Sequence, residues 1–298
     1  FSINQSQKAR IFTPKKLLIK KEDIFLENNK LRIKNDKAYD QEIRNFFNFY
    51  QDYFSWGSGG KETTELFEKG LIVFTPKLKE LIKKYALVDL QERHKGIWDN
   101  VIKNQFLSAR TIKFKKSSVI APIWELVNHE VKSFNFILND EGLSTPNYPT
   151  SNHEITFSYR DMSPLNCFFS YGFFSEETIV FSIPFTINLH KIGINISCKG
   201  WSLKDDSMKI ERNGNHIILE GLPIADVNHP RLPYEYFKEI IKKIGNINIP
   251  QDILLRILTL NISIREEILN ESNLINNEVS KILSKIMIYE INLISSHD

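Results

Sequence analysis

Ala121-Pro122-Ile123-Trp124-Glu125-Leu126-Val127-Asn128-His129 is followed by Glu154-Ile155-Thr156-Phe157-Ser158-Tyr159, and then by Tyr171-Gly172-Phe173. Taken one at a time, the three segments have ordinary readings. Asn128-His129 reads as a turn after a buried strand. Tyr159 reads as a core tyrosine whose hydroxyl finds a partner. Tyr171-Gly172-Phe173 reads as aromatic packing around a bend. Glu154 to Tyr159 alternates apolar and polar residues, the period of a half-buried strand. Their order and spacing along one chain make the three informative together.

The flanking sequence sets the architecture in which they sit. Arg10 to Ile19 contains Pro14, which is incompatible with a central strand or a helix interior, so an extended segment leading into a turn is expected. Ile43, Phe46, Phe47 and Tyr50 recur at helical spacing between Tyr39 and Tyr53. Gly57-Ser58-Gly59-Gly60 breaks that pattern and reads as a flexible linker. Leu66 to Leu87 and Ile97 to Ile112 read as further helices. Short strands are expected at Val119 to Trp124 and Thr178 to Ile183. Lys209 to Leu219 reads as a hairpin closed by Asn213-Gly214 in a type I′ turn, where both central residues need positive φ. From Tyr234 the chain is helical again, with apolar stripes at Ile253, Leu254, Ile257 and Leu258, and then at Ile275, Val279, Ile282, Ile286 and Leu293. Helices, then short strands, then helices argue for an α+β fold rather than a parallel βαβ sheet.

Composition narrows the classes. At 298 residues, two domains are expected from about 150 residues per domain. Hydrophobic residues at 42% and charged residues at 25% are ordinary for a globular chain and exclude a wholly disordered one. A net charge of +3 is too balanced to identify a nucleic-acid binder, and the basic runs Pro14-Lys15-Lys16 and Lys113-Phe114-Lys115-Lys116 read as solvated faces. Two cysteines, Cys167 and Cys198, supply neither a Cys-rich zinc site nor a disulfide framework, so no metal and a reducing, intracellular compartment are expected. No apolar run reaches the roughly 18 residues of a spanning helix, so no membrane role is expected. Dinucleotide and phosphate-loop glycine motifs, His-Glu-x-x-His and Gly-x-Ser-x-Gly are all absent. Gly57-Ser58-Gly59-Gly60-Lys61 resembles a phosphate loop only superficially.

Together the three segments resemble a SET-domain methyltransferase: a Pro-x-x-acid-x-x-Asn-His segment, a strand ending in Tyr, and a Tyr-Gly-Phe a dozen residues later. The resemblance covers roughly residues 115–185. It is nearest to the Rubisco large-subunit methyltransferase-like group, which carries a helical insert inside the SET domain and a helical domain after it. The resemblance therefore implies a SET-domain fold of short strands over 1–38 and 113–185, a helical insert over 39–112, and a C-terminal hairpin and helical domain over 186–298. Gln105 to Arg110 resembles the element that ends the insert, and Phe12 to Ile19 the group's early Pro-Lys-x-Leu segment.

Such a fold implies protein-lysine N-methylation with S-adenosylmethionine on a non-histone protein. The alternative is a catalytically degenerate SET-fold protein serving as a structural or assembly subunit. By the resemblance, Tyr159 is catalytic, orienting the amine. Arg110, Asn128, His129 and Phe173 bind the cofactor, Arg110 at its carboxylate and Phe173 on adenine. Tyr171 and Glu125 lie on the substrate side, and the C-terminal helices capture the protein substrate or a protein complex. Departures from the family pattern are Glu125 for Asp, Asn152-His153-Glu154 for Gly-Glu-Glu, Arg160 for Gly, and no Gly-x-Gly before Pro14.

Overall fold

The computed structural model describes residues 11–37, 39–85, 87–145, 156–158, 162–190, 193–201, 209–245 and 252–296. Helices and small sheets alternate, an α+β arrangement with a helical C-terminal region. The chain divides into two compact units, one of residues 1–68 and 96–160 and the other of 69–95 and 161–298. The sequence reading draws its boundaries elsewhere, at 38/39, 112/113 and 185/186.

In the first unit, strands Ile24–Glu27 and Lys30–Ile33 form a hairpin. Asn28 and Asn29 close it at φ 48° and 64°. Two positive φ values are what a type I′ turn demands, and Asn is among the few residues that tolerate them. Ile19–Lys20, Ser117–Ile120 and Thr111–Phe114 form an antiparallel sheet. Phe12–Pro14 is the edge strand of another, beside Gly142–Ser144, which is where a proline without an N–H can sit. Helix Gln41–Tyr53 starts at Asp40, whose side chain accepts from the Ile43 N–H. Its Phe47 packs with Leu31, Ile102 and Phe106, the last two on helix Trp98–Arg110, in one buried cluster.

The glycine run after this helix is not a loose linker. Trp56 and Gly60 are buried, and Gly59 turns the chain at φ 103°. A Cβ on Gly57 would lie 2.1 Å from the Asp52 carbonyl oxygen, and one on Gly60 would lie 2.8 Å from the Phe106 ring. The glycines are there for close approach.

In the second unit, the helix expected over Leu66–Leu87 is broken. Lys61–Ile72 crosses the unit boundary, and Pro76–Lys84 follows with Thr75 as its cap and Pro76 in its first turn. Strands Phe185–Leu189, Ile194–Cys198, His216–Glu220 and Lys209–Asn213 form a four-stranded sheet in that spatial order. The last hairpin pairs Asn213 with His216, so Gly214 and Asn215 are its central residues, and of the two only Gly214 has positive φ, at 59°. That is the φ pattern of a type II′ turn, one residue beyond the expected Asn213-Gly214. Burial decides the register, because it keeps Ile217 and Leu219 in the core, and a one-residue slip would turn them out.

Helices Leu232–Ile244, Asp252–Asn273 and Glu278–Ser295 complete this unit. Ile253, Ile257, Leu258 and Ile294 share a single hydrophobic cluster with the sheet residues Ile187, Ile196, Ile217 and Leu219. These helices belong to the core that covers the sheet and do not stand as a separate helical unit. Pro250 lies outside the described residues.

Candidate functional site

The Ala121–His129 segment is shaped by one strained residue. After strand Ser117–Ile120, Ile123 takes φ 76°, ψ −47°, a conformation that a β-branched residue adopts only under constraint. Its N–H donates to the Tyr50 hydroxyl at 2.8 Å, and a one-turn 3₁₀ helix, Trp124–Leu126, follows. The kink sends consecutive side chains to different neighbours. Trp124 packs edge-on against Phe157, with ring centroids 5.8 Å apart, in a cluster with Phe136 and Leu143. Glu125 is buried against helix Gln41–Tyr53 instead.

Around Glu125 the polar groups are incompletely matched. Its Oε1 accepts from Gln51 Nε2 at 3.0 Å. Among the described residues Glu125 Oε2, Gln51 Oε1 and Ser55 Oγ are buried without hydrogen-bond partners. Arg110, the last residue of its helix, places its guanidinium over the Phe106 ring at 4.8 Å and donates to the Glu125 carbonyl oxygen at 2.9 Å. Burial pushes the Glu125 carboxyl above the ordinary carboxylate range, while Arg110, Ser55, Gln51 and Tyr50 act in the opposite direction. The Tyr50 hydroxyl is pushed up by its own burial first and by the Glu125 charge second. Burial thus shifts the balance toward the neutral carboxylic acid, the form that can donate as well as accept a hydrogen bond.

His129 begins the next strand, His129–Phe134, with Asn128 immediately before it. The Phe157 N–H donates to the Asn128 carbonyl oxygen at 3.2 Å, and His129 and Phe157 form a parallel bridge. Thr156 Oγ1 reaches Glu130 Oε2 at 2.5 Å, which ties the same two segments together. The Asn-His segment thus runs beside the segment that ends two residues before Tyr159. The Asn128 side chain is exposed and His129 is half-buried. Tyr159 itself lies outside the described residues, as do Arg160 and Asn152 to Ile155.

Tyr171 and Phe173 belong to the second unit. Helix Pro164–Tyr171 is capped by Ser163, which accepts from the Asn166 N–H, and ends at Gly172 with φ 86°, a left-handed cap that glycine takes without strain. The turn brings the half-buried rings of Tyr171 and Phe173 to 6.1 Å. The structure therefore brings together Arg110 with Glu125, Asn128-His129 with Phe157, and Tyr171 with Phe173.

The sequence reading passed over Gln51, Ser55 and the polar side of Tyr50. One signal was present. Gln51 stands four residues after the fully buried Phe47, on the same helix face, and a glutamine in an apolar stripe needs a buried partner. Glu125, assigned to the substrate side by resemblance, has its carboxyl turned inward onto Gln51.

Among the described residues, no group of three or more His, Cys, Asp or Glu side chains is placed to hold a metal ion, and no helix is long and apolar enough to cross a membrane. No protein-family model and no curated protein sequence matches the chain.

Proposed function

We propose that this chain is an S-adenosylmethionine-dependent protein-lysine N-methyltransferase of the SET-domain class, acting on a non-histone protein. One observation carries the reading. Asn128-His129 lies against Phe157, so the segment assigned to the cofactor and the strand assigned to the catalytic tyrosine are neighbours although 28 positions or more separate them. The described residues fit the cofactor. Arg110 commits one N–H to the Glu125 carbonyl, and a guanidinium has five, so donors remain for a carboxylate. Asn128 is exposed.

When bound, S-adenosylmethionine supplies an activated methyl group on a sulfonium. The chain's residues do the rest. Arg110 holds the carboxylate end, anchored by its contact with Phe106. Asn128 and His129 hydrogen-bond the cofactor's polar edge. Tyr159 would accept a hydrogen bond from the lysine amine and align its lone pair. Protein substrates engage the C-terminal region, where Leu255, Leu274 and Ile288 are exposed. Cys167 and Cys198 are buried free thiols, which fits a reducing intracellular compartment.

Calorimetric titration with S-adenosylmethionine tests the reading. We expect micromolar binding by the full chain, weakened about tenfold or more in Arg110→Ala, the order expected for losing a charge-assisted bond. Tyr159→Phe is expected to keep that affinity and lose about 10²-fold in methyl transfer. Unchanged turnover in Tyr159→Phe removes the catalytic assignment. Failure of the wild-type chain to bind favours the second reading, a SET-like structural or assembly subunit.

A further inference from the structure

The first unit contains a cleft of about 540 Å³ whose charged lining is Lys21, Lys34, Lys103, Lys113 and Lys116 against one acid, Glu22. The lysines come from separate stretches: the 3₁₀ turn Lys21–Asp23, the end of the hairpin strand Lys30–Ile33, helix Trp98–Arg110, and the Thr111–Ile120 hairpin. Along the sequence only the Lys113–Lys116 run of this cleft stands out, and alone it reads as a solvated face. Among the described residues none of the five is in an ion pair, whereas Lys30, Lys37, Lys77, Lys83 and Lys115 each are. Instead, Lys21 donates to Ser108 Oγ at 2.7 Å and Lys34 to the Glu22 carbonyl oxygen at 2.7 Å, neutral acceptors that leave the charges uncompensated.

Depth distinguishes the five. Lys34, Lys113 and Lys116 are exposed, while Lys21 and Lys103 are half-buried. Burial pushes both half-buried ammonium groups below the ordinary lysine value. The Lys103 charge adds to the effect on Lys21, and the Lys34 charge to that on Lys103. Like charges gathered in a concave site raise the local potential and are relieved by an anion that enters it.

We propose that this cleft binds a compact anion carrying two or more phosphoryl groups. Five lysines less one glutamate leave four positive charges, which a single phosphate cannot balance. The volume falls within the roughly 300–1,000 Å³ of small-molecule sites. An extended phosphodiester chain would meet the exposed three lysines and leave the half-buried pair unneutralised, so a compact ligand matches the charge placement better. Ser117 and Ser118, also at the cleft, add hydroxyl donors to the ammonium point charges. None of these residues belongs to the set proposed for methyl transfer, and the inference does not depend on that reading.

Calorimetric titration of the full chain with inorganic tripolyphosphate tests it, beside orthophosphate and a short single-stranded oligonucleotide. We expect one tripolyphosphate per chain, orthophosphate much weaker, and affinity falling about tenfold or more in Lys21→Gln/Lys103→Gln, as expected for removing two nearby charges under partial screening. Lys242→Gln, an exposed lysine of the second unit, should change nothing. If Lys21→Gln/Lys103→Gln does not fold, Lys113→Gln/Lys116→Gln takes its place and should weaken binding in the same direction. No binding by the wild type, equal binding by the folded cleft variant, or an oligonucleotide that tripolyphosphate cannot displace would each overturn the proposal, the last in favour of nucleic acid.

Discussion

Glu125 in the first unit and Glu290 in the second are both buried glutamates, and their surroundings are opposites. Glu290 Oε2 accepts from Arg265 Nε at 2.7 Å, and its Oε1 accepts from the Leu165 N–H at 2.8 Å. Arg265 places three of its four remaining N–H donors on Asn261 and the Phe181 carbonyl, and Asn261 in turn bonds Ser182 and the Ile183 N–H. Among the described residues Glu125 has one side-chain bond, from Gln51, and two polar atoms buried beside it, Gln51 Oε1 and Ser55 Oγ, are left unmatched. A saturated network fixes helices and strands against one another and has no capacity left for a ligand. An unsaturated one, beside a residue held at φ 76°, is where strain and spare hydrogen-bonding capacity are stored together. The first is architecture, and the second lies within the proposed site.

The largest expected effect is in the saturated network. Arg265→Ala leaves the Glu290 charge buried alone and should cost about 3–5 kcal/mol, seen as a lower denaturation midpoint with an unchanged slope. Arg265→Met/Glu290→Leu removes both charges and should cost less than the single change. A loss under about 1 kcal/mol in Arg265→Ala would mean that the pair contributes no more than a surface ion pair, and the contrast would fail. Next, Tyr50→Phe strips the Ile123 N–H of its acceptor and should cost about 1–3 kcal/mol, with thermal melts as the measure.

Protonation sharpens the contrast further. The folded-state pKa of Glu125 is raised above its unfolded value of about 4.5. Its neutral form is therefore favoured on folding, and this stability is fully present below that pH and is lost as pH rises through the folded pKa. Glu125→Gln should remove that part of the pH slope, making the variant the relatively more stable protein at higher pH. Parallel stability–pH curves for wild type and variant would show that the carboxyl ionises in place. The smallest change is Ile123→Gly. Relief of strain worth about 1–3 kcal/mol, less about 0.5–1 kcal/mol for glycine's unfolded freedom, should leave a net gain near 1 kcal/mol. A destabilised Ile123→Gly would show that side-chain packing outweighs the strain.

Helix positions were legible wherever a cap and a stripe coincided. Asp40 before Ile43, Phe47 and Tyr50 marks one helix, and Thr75-Pro76 marks another that the apolar pattern alone ran together with its neighbour. The hairpin at Lys209–Leu219 was legible too, but its turn was read one residue early, because Asn-Gly is a local preference and the register is set by the burial of Ile217 and Leu219. Gly57–Gly60 looked like freedom and is close contact, since composition shows a missing Cβ but not what approaches it. The five-lysine cleft was visible only as one basic run, its other members lying elsewhere along the chain.

By itself the sequence determined which faces are apolar, where a helix starts when a cap and a stripe coincide, and that the chain mixes helices with short strands. These are matters of residues a few positions apart. Tertiary structure alone decided which buried carboxyl is satisfied. The bond from Gln51 to Glu125 spans 74 positions, and that from Leu165 to Glu290 spans 125. Periodicity records that a residue is buried, whereas its charge state and spare hydrogen bonds depend on what it is buried against, a property of the packed chain.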